Sequence, residues 1–295
     1  MQAGLTPPPT GTPAPTPTPT PAGTAVVILP QPAVGQFAST GVWTNLYKPM
    51  VSAAGRFEFV DHKQGDQPLI RYTGSGTYEV MLPGEDFGPL SHDPKIANPT
   101  PNDPFLVIHD CCGVRAFNIE HSNSGFSYSA MATWARPDLD FGFTTDAGVV
   151  AFGPGTPAGK VPLTGTASYA GFVSGLSDAK QFDEAGQGWY LLPVGGTVQL
   201  NFDFAKSTLA GQLDLSIAGG MNPVPVGTYS FAQTMFSPGS TTYSGSFATP
   251  LSGLNYFNGI FTGPNAEETI GSWAVPFQLN GEDHQALGAW IAKSH

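Results

Sequence analysis

Residues 198–204 read VQLNFDF and residues 213–217 read LDLSI, so apolar and polar side chains alternate in both segments. Successive side chains of a β-strand point to opposite faces, and a period of two is typical of a strand with one buried face. The same pattern returns at 273–279, which reads WAVPFQL. Clusters of turn-forming residues separate these segments, among them Gly195-Gly196. The region after residue 160 is therefore predicted to be antiparallel β-sheet.

This C-terminal region contains enough strands to close into a barrel. Eight strands are predicted, at 164–174, 188–192, 196–204, 208–217, 228–236, 242–248, 254–262 and 269–279. A ninth, at 285–293, is an alternative to the weak strand at 188–192. Closure of the last strand onto the first would remove both sheet edges. An eight-stranded barrel is either filled by its own side chains or holds one small ligand, and the inward Phe, Trp and Leu residues favour the filled form.

The composition fits an all-β chain with many turns. The 295 residues include 37 Gly and 29 Pro, and only 11% of the residues are charged. This excludes helical bundles and coiled coils, which need many helix formers and few Gly or Pro. The net charge of −11 disfavours nucleic acid and anionic membranes as partners. No apolar run is long enough for a transmembrane helix.

The N-terminal segment is predicted to be a spacer. Residues 7–21 read PPPTGTPAPTPTPTP, and the first charged side chain is Lys48. A Thr-Pro repeat favours an extended polyproline II conformation and cannot bury enough apolar surface to form a core. We therefore expect residues 1–35 to be disordered and unnecessary for folding. No signal-peptide pattern precedes the repeat. The segment fits either an exported protein without its signal and anchor, or a cytosolic protein with a disordered tail.

Between the spacer and the barrel, residues 36–158 are predicted to form an antiparallel β domain, which we call the handle, and the barrel domain covers 159–295. Handle strands are predicted at 55–61, 69–82, 105–109, 114–121 and 126–136. The Pro-rich stretch at 83–104 is predicted to be a long loop. Loops of this length are uncommon unless they are functional, so this one is a candidate binding loop.

Two groups of residues resemble motifs of the transferrin-binding protein B family. Residues 152–157 (FGPGTP) and 162–171 (PLTGTASYAG) look like the start of that family's barrel domain. Residues 259–268 (GIFTGPNAEE), followed by IGSW at 270–273, are similar to its strand-turn-strand near the end of the barrel. The sequence LGAW at 287–290 also fits. Independently, Glu267 and Glu268 follow a tight turn, where their carboxylates can accept hydrogen bonds from loop amides.

The resemblance implies a Gram-negative surface lipoprotein or secreted solute-binding protein of the hemophilin type, built as a handle followed by an eight-stranded barrel. Such a protein would capture haem or an iron-carrier protein for an outer-membrane receptor. The chain has the length of one lobe, whereas transferrin-binding protein B has two, and it lacks the family's lipidated cysteine. Whether it is lipidated, and which ligand it binds, stay open. We expect a monomer at the cell surface or outside the cell, attached to a membrane only through a lipid anchor.

Two binding hypotheses and a third without a ligand follow. In the first, haem or another small solute is the ligand, because neutral imidazole is a good axial ligand for haem iron. The candidate ligands are His62, His92, His109 and His121. In the second, exposed aromatic residues grip a partner protein. The candidates are Trp43, Phe87, Phe126, Tyr128 and Tyr256. In the third, the chain is a structural protein of the cell surface.

Catalysis is not indicated, because the sequence has none of the nucleophile-elbow, metalloprotease, phosphate-loop or dinucleotide-binding motifs. The two cysteines, Cys111 and Cys112, are adjacent, and neighbouring cysteines rarely bridge one another. They are predicted to be loop cysteines, with a vicinal disulfide or a metal site as alternatives. The identity of any metal is left open.

Overall fold

The structure is a computed structural model that describes residues 29, 34–45, 61–63, 67–74, 77–92, 105–110, 114–120, 125–138, 143–183, 188–217 and 223–295. The regular elements in these ranges are all β-strands, which form a handle and a closed barrel and confirm the predicted fold class. Among the residues described, no helix has the length and apolar character needed to cross a membrane. Residues 1–28 and 30–33 of the predicted spacer and most of the strand predicted at 55–61 lie outside the described residues.

Eleven short strands form the handle in the described ranges. They are β1 (Gly35–Gln36), β2 (Ala38–Asn45), β3 (Asp61–Lys63), β4 (Leu69–Gly74), β5 (Thr77–Met81), β6 (Gly88–Pro89), β7 (Ser91–His92), β8 (Phe105–Asp110), β9 (Val114–Glu120), β10 (Ala130–Asp138) and β11 (Phe143–Gly153). The segment predicted as one strand at 69–82 forms two strands, β4 and β5, which pair antiparallel, and Gly74 at the end of β4 has a left-handed backbone (φ 98°). Within the predicted loop at 83–104, residues 88–89 and 91–92 form the short strands β6 and β7, and residues 93–104 lie outside the described residues.

The handle strands form two sheets with a shared core. One has the order β1-β4-β5-β6 and the other the order β3-β2-β11-β10-β9-β8-β7. Ile70 and Tyr78 of the smaller sheet pack in one apolar cluster with Trp134 and Phe152 of the larger sheet. The alternating pattern of the handle strands places these large side chains on the inner faces, so burial between the sheets holds the handle together.

The handle's core also uses residues of the predicted spacer. The Leu29 side chain is 1% exposed, and its backbone N–H donates a hydrogen bond to the Tyr78 hydroxyl at 3.4 Å. Gly35 and Gln36 pair with Tyr72 and Arg71 of β4. The contacts of the handle therefore begin before residue 36, and the boundary of the spacer at residue 35 stays a prediction.

Eight long strands form the barrel. They are β12 (Thr166–Asp183), β13 (Gly188–Asp203), β14 (Thr208–Ile217), β15 (Val224–Met235), β16 (Thr242–Phe247), β17 (Tyr256–Thr262), β18 (Glu268–Leu279) and β19 (Glu282–Ser294). Each strand pairs antiparallel with the next. β19 then pairs with β12, with Phe172 opposite Ile291, and this ladder closes the barrel.

Aromatic side chains fill the inside of the barrel. Trp273, Trp290, Phe202, Phe257 and Phe261 are all fully buried in one cluster. Their rings touch in edge-to-face and tilted pairs, such as Phe202 with Phe261 at 4.9 Å between centroids. Contacts of this kind add about 0.5–1.5 kcal/mol per pair beyond the burial of apolar area. The filled form of the barrel favoured by the sequence is the one found.

One strand prediction for the barrel is wrong, and its alternative is confirmed. The segment 188–192 is not a separate strand, because β13 continues through Gly195 and Gly196, and the alternative strand at 285–293 forms the eighth strand instead. The glycine pair is therefore not a turn. A Cβ atom at Gly196 would lie 1.9 Å from the carbonyl oxygen of Asp214 on β14. Glycine is needed there because the two backbones approach closely.

The handle packs against the outside of the barrel. Met131 and Val149 of the handle share an apolar cluster with Ile270 and Ile291 of β18 and β19. Residues 268–277 of β18 are consequently buried on both faces, one by the lumen and the other largely by the handle. A strand buried on both faces loses the polar half of its alternation, which explains the apolar and small residues of this segment.

Candidate functional site

An open groove lies where handle strand β2 meets the outside of the barrel. Its first half has a volume of about 520 Å³ and lies between residues 39–41 of β2 and strands β16 to β18. Its second half, of about 610 Å³, continues along β15, β16 and β17. The halves share Met235, Ser244 and Asn258. The groove thus touches both parts of the molecule.

A row of paired residues across four strands forms the floor of the groove. Met235 of β15 lies opposite Ser244 of β16, which lies opposite Asn258 of β17, which lies opposite Ser272 of β18. Directly paired residues project from the same face of a sheet. The adjacent Tyr243 is buried in the lumen cluster, so the alternation of β16 places Ser244 on the outer face.

The handle forms one wall of the groove. The Thr40 hydroxyl donates a hydrogen bond of 2.9 Å to the Ser272 hydroxyl, and both residues are buried. The Gln67 side-chain amide donates to the carbonyl oxygen of Ser39 at 3.1 Å. A buried hydrogen bond between neutral groups contributes about 0.5–1.5 kcal/mol and fixes direction as well. These bonds hold the wall in place beside the floor.

A β-bulge shapes the opposite side. The register of β15 against β16 shifts between Ala232 and Met235, and Gln233 inside the shift has a left-handed backbone (φ 43°). A bulge bends its strand and re-aims the neighbouring side chains. The Met235 side chain is 69% exposed as a result, at the rim of the groove. A left-handed Gln costs conformational energy, and such strain is often found beside functional sites.

The described lining of the groove is polar and uncharged. No charged side chain lines either half within the described residues, although the whole chain carries a net charge of −11. The lining is dominated by hydroxyl and amide side chains, namely Ser39, Thr40, Gln67, Gln233, Thr234, Ser237, Ser240, Thr242, Ser244, Ser246, Asn258 and Ser272. Burial raises the pKa of Tyr256, at one end of the groove, to about 12, so its phenol is neutral at physiological pH.

Two acidic residues that the sequence places at a barrel corner do serve as structural acceptors. Glu268 accepts hydrogen bonds from the backbone N–H groups of Ser127 and Tyr128 at 2.6 and 3.1 Å. Burial raises the pKa of Glu268, and these bonds only partly offset that effect. Glu267 accepts bonds from the backbone and side chain of Asn265. Burial alone would raise the pKa of Glu267, yet these bonds lower it. Glu268 therefore ties a handle loop to the barrel.

The structure places two of the histidines proposed as ligands far apart and two of them on neighbouring strands. His62 lies on β3 and His92 on β7, which are the two opposite edges of the seven-stranded sheet. With strands about 4.8 Å apart, six intervals place these two backbones roughly 29 Å from each other. His109 is on β8, beside β7, and His92 pairs with Val107 of that strand. His121 and the pair Cys111-Cys112 lie outside the described residues. Ligand binding by all four histidines stays a prediction.

The aromatic residues proposed as partner contacts differ in exposure. Trp43 is buried against Trp134 in the handle core, and Phe126 is buried against Phe172 between the handle and the barrel. These two side chains are therefore not at exposed loop tips. The sequence could not show this, because the elements that cover them are distant in the chain. Phe87 is half-buried beneath the guanidinium of Arg71, at 4.0 Å.

Tyr128 is half-buried beside Gly263 at the barrel corner. Partner binding by any of these aromatic residues stays a prediction. In the part of the chain that is described, no group of three or more His, Cys, Asp or Glu side chains could hold a metal ion.

The groove itself was not identified from the sequence. The alternation of β16 and β17 does place Ser244 and Asn258 on the outer face, as the strand period predicts. An outer-face serine or asparagine is, however, normal on any barrel that faces water. Only the position of β2 beside them turns part of that face into a groove, and the sequence carries no signal for this arrangement.

The architecture defined by these strands is a two-sheet handle followed by a filled eight-stranded barrel, and solved proteins share it. A double mutant of Transferrin Binding Protein B from Haemophilus parasuis matches 87% of this chain with a TM-score of 0.51 and 16% identity. This chain spans 44% of the length of that one. The comparison confirms, at the level of the fold, the resemblance that the sequence motifs indicate.

Weaker similarity is found to two further structures. Transferrin binding protein B from serogroup B Neisseria meningitidis matches 87% of this chain with 17% identity and a TM-score of 0.48, over 43% of its own length. A protein described as a surface lipoprotein matches 87% of this chain and 98% of its own, with 16% identity and a TM-score of 0.44. No protein-family model matches the chain, and no curated protein matches it in sequence.

Proposed function

We propose that the chain is a non-enzymatic binding protein, displayed on the surface of a Gram-negative cell or secreted, that captures an iron source for an outer-membrane receptor. The fold shared with Transferrin Binding Protein B supports this proposal, since that protein's name states that it binds transferrin. The motifs at 152–171 and 259–273 support it independently of the fold. The captured ligand would be an iron-carrier protein or haem. The chain would deliver it to the outer-membrane receptor.

The observation that carries the proposal is the filled barrel beside an open groove. The lumen is occupied by aromatic side chains such as Phe202 and Trp273, so a ligand would bind on the outside. Affinity for a macromolecule comes from surfaces that several elements hold in place. The groove between β2 and strands β15 to β18 is such a surface, because the handle and the barrel are packed and hydrogen-bonded to each other.

Of the two iron sources, the groove favours a carrier protein over haem. Haem carries two propionate charges and needs an axial ligand to its iron. The described lining of the groove contains no His, Lys or Arg. The histidines His62 and His92, which could supply a ligand elsewhere, lie on opposite edges of the handle sheet. Haem binding in the handle therefore remains the second candidate, separate from the groove.

The test measures binding of the whole chain to iron-loaded transferrin by biolayer interferometry, and to haem by absorbance titration. We expect saturable binding to the carrier protein that Ser244→Arg weakens at least tenfold, because the new side chain would fill the groove. Gln199→Arg is the matched control, since Gln199 is exposed on β13, outside the groove. If the chain binds haem but not transferrin, and the Soret shift is lost in His92→Ala, then haem is the captured iron source. Binding of neither ligand would refute the proposal.

A further inference from the structure

The groove has unused hydrogen-bonding groups. Ser244 and Asn258 lie at its centre, where its two halves meet. Within the part of the chain that the structure describes, neither side chain makes a hydrogen bond to another group of the protein. Some other lining groups are already engaged, such as Thr40 with Ser272. The two free groups occupy successive positions in one cross-strand row, so they present donors and acceptors in a fixed line.

The absence of charge in the described lining restricts the chemistry of the ligand. An anionic or cationic group placed in the groove would meet no counter-charge among the described lining residues, and its loss of hydration would be uncompensated by them. A ligand made of neutral hydroxyl and amide groups would instead exchange hydrogen bonds with water for hydrogen bonds with Ser244 and Asn258. Hydroxyl and amide side chains both donate and accept, which suits a ligand with many hydroxyl groups.

The position of the groove on the sheet argues against an extended peptide. A peptide that adds to a sheet pairs its backbone with a free strand edge. The floor here is the face of the sheet: β16 is paired with both β15 and β17, and β17 with both β16 and β18. Contacts to this floor are made through side chains. A ligand that carries its hydrogen-bonding groups at its periphery, and apolar C–H faces between them, fits such a floor.

The rims of the groove supply apolar contact. Met235 is exposed at one side, and its flexible thioether adapts to irregular apolar surfaces. The half-buried ring of Tyr256 lines the second half of the groove. Sugars combine polar edges with apolar faces, and amphipathic side chains such as these contact such faces. We propose that this groove binds a neutral oligosaccharide, an inference that goes beyond the capture of an iron source.

The experiment titrates the full chain, labelled with nitrogen-15, with three neutral probes: maltotriose, mannotriose and triacetylchitotriose. Trigalacturonate is the anionic control. We expect at least one neutral probe to bind saturably and to shift the amide resonances of Ser244, Asn258 and residues 39–41. The Asn258→Ala variant is expected to raise the Kd for that probe at least tenfold, whereas Gln199→Ala, outside the groove, leaves it unchanged.

Three outcomes would overturn the inference. The first is that no neutral probe saturates binding at a concentration of about 10 mM, roughly tenfold above a millimolar Kd. The second is equal affinity of Asn258→Ala and the wild type for the probe. The third is tighter binding of trigalacturonate than of the neutral probes. If the variant Asn258→Ala proves unfolded by its amide spectrum, Ser244→Ala replaces it under the same criteria. Transferrin binding that Ser244→Arg abolishes, without any binding of a neutral probe, would leave the proposed function standing and assign the groove to a protein segment instead.

Discussion

Closure of the barrel depends on the close approach of β12 and β19 at Gly171. This residue lies opposite Ala292 on β19, and a Cβ atom added to it would lie 1.8 Å from the carbonyl oxygen of Ile291 and 2.6 Å from the Cα atom of Ala292. Both contacts are with backbone atoms, which cannot rotate away as a side chain could. The substitution Gly171→Ala should therefore force the two closing strands apart.

The size of the effect follows from the geometry. Ordinary contact with a Cβ begins at 3.4 Å, so the strands would separate locally by roughly 1.6 Å. Ladder hydrogen bonds of about 2.9 Å do not survive such a displacement, and each contributes about 0.5–1.5 kcal/mol. Overpacking in a tight site costs about 1–3 kcal/mol. We expect Gly171→Ala to lower the free energy of unfolding by about 2–4 kcal/mol.

The assay is urea denaturation followed by tryptophan fluorescence, with Gly195→Ala as the matched control. Gly195 is on the neighbouring strand β13, and the nearest atom to its added Cβ is 3.8 Å away. Replacing an unstrained glycine by alanine stabilises by about 0.4–1 kcal/mol through the unfolded chain. The control is thus expected to be as stable as the wild type or more so. Equal stability of Gly171→Ala and Gly195→Ala would refute the close approach at the closing ladder.

Three further predictions concern the barrel interior, the barrel corner and the N-terminus. Tyr229→Phe removes the 2.8 Å hydrogen bond to a buried backbone carbonyl and should cost about 1–3 kcal/mol in urea denaturation; a loss below about 0.3 kcal/mol would contradict it. Because burial raises the pKa of Glu268 above its ordinary value of 4.5, the folded state holds this proton more tightly than the unfolded state. The carboxyl's contribution to stability should therefore fall as the pH rises from about 4.5 through the raised pKa, and Glu268→Gln should remove that slope; parallel pH profiles of the two proteins would disprove the shift. Deletion of 1–28 should leave Tm unchanged, whereas deletion of 1–35 also removes the buried Leu29 and should lower it by several degrees; equal Tm values for both deletions would show that Leu29 contributes nothing.

Strand periodicity predicted most of the barrel because its physical cause is local. Wherever one face is buried and the other meets water, the side-chain alternation records it, as at 198–204 and 213–217. The periodicity prediction was wrong where glycine serves close packing of strands and not a turn. Gly195 and Gly196 look like a turn, but at Gly196 the missing side chain serves the close packing of two strands. A composition signal cannot distinguish these two uses.

Contacts between segments that are distant in the chain could not be predicted from the sequence. Trp43 and Phe126 look like exposed aromatic residues, yet both are covered by elements far away in the chain. The groove likewise depends on β2 lying beside strands that follow it by some 200 residues, as in the contact of Thr40 with Ser272. The corner carboxylate Glu268 was predictable, because its motif includes the turn that precedes it, whereas its partners Ser127 and Tyr128 were not.

The central claim is that the barrel is closed and filled, because a ligand could then bind only on the outside of the molecule. Residue-resolved hydrogen exchange of the free protein tests it most directly. In a closed barrel both β12 and β19 are paired on both sides, so the backbone amides of residues 169–177 and 286–294 should be as protected as those of β13 and β14. Rapid exchange of alternate amides along β12 or β19, as on the free edge of an open sheet, would contradict the account.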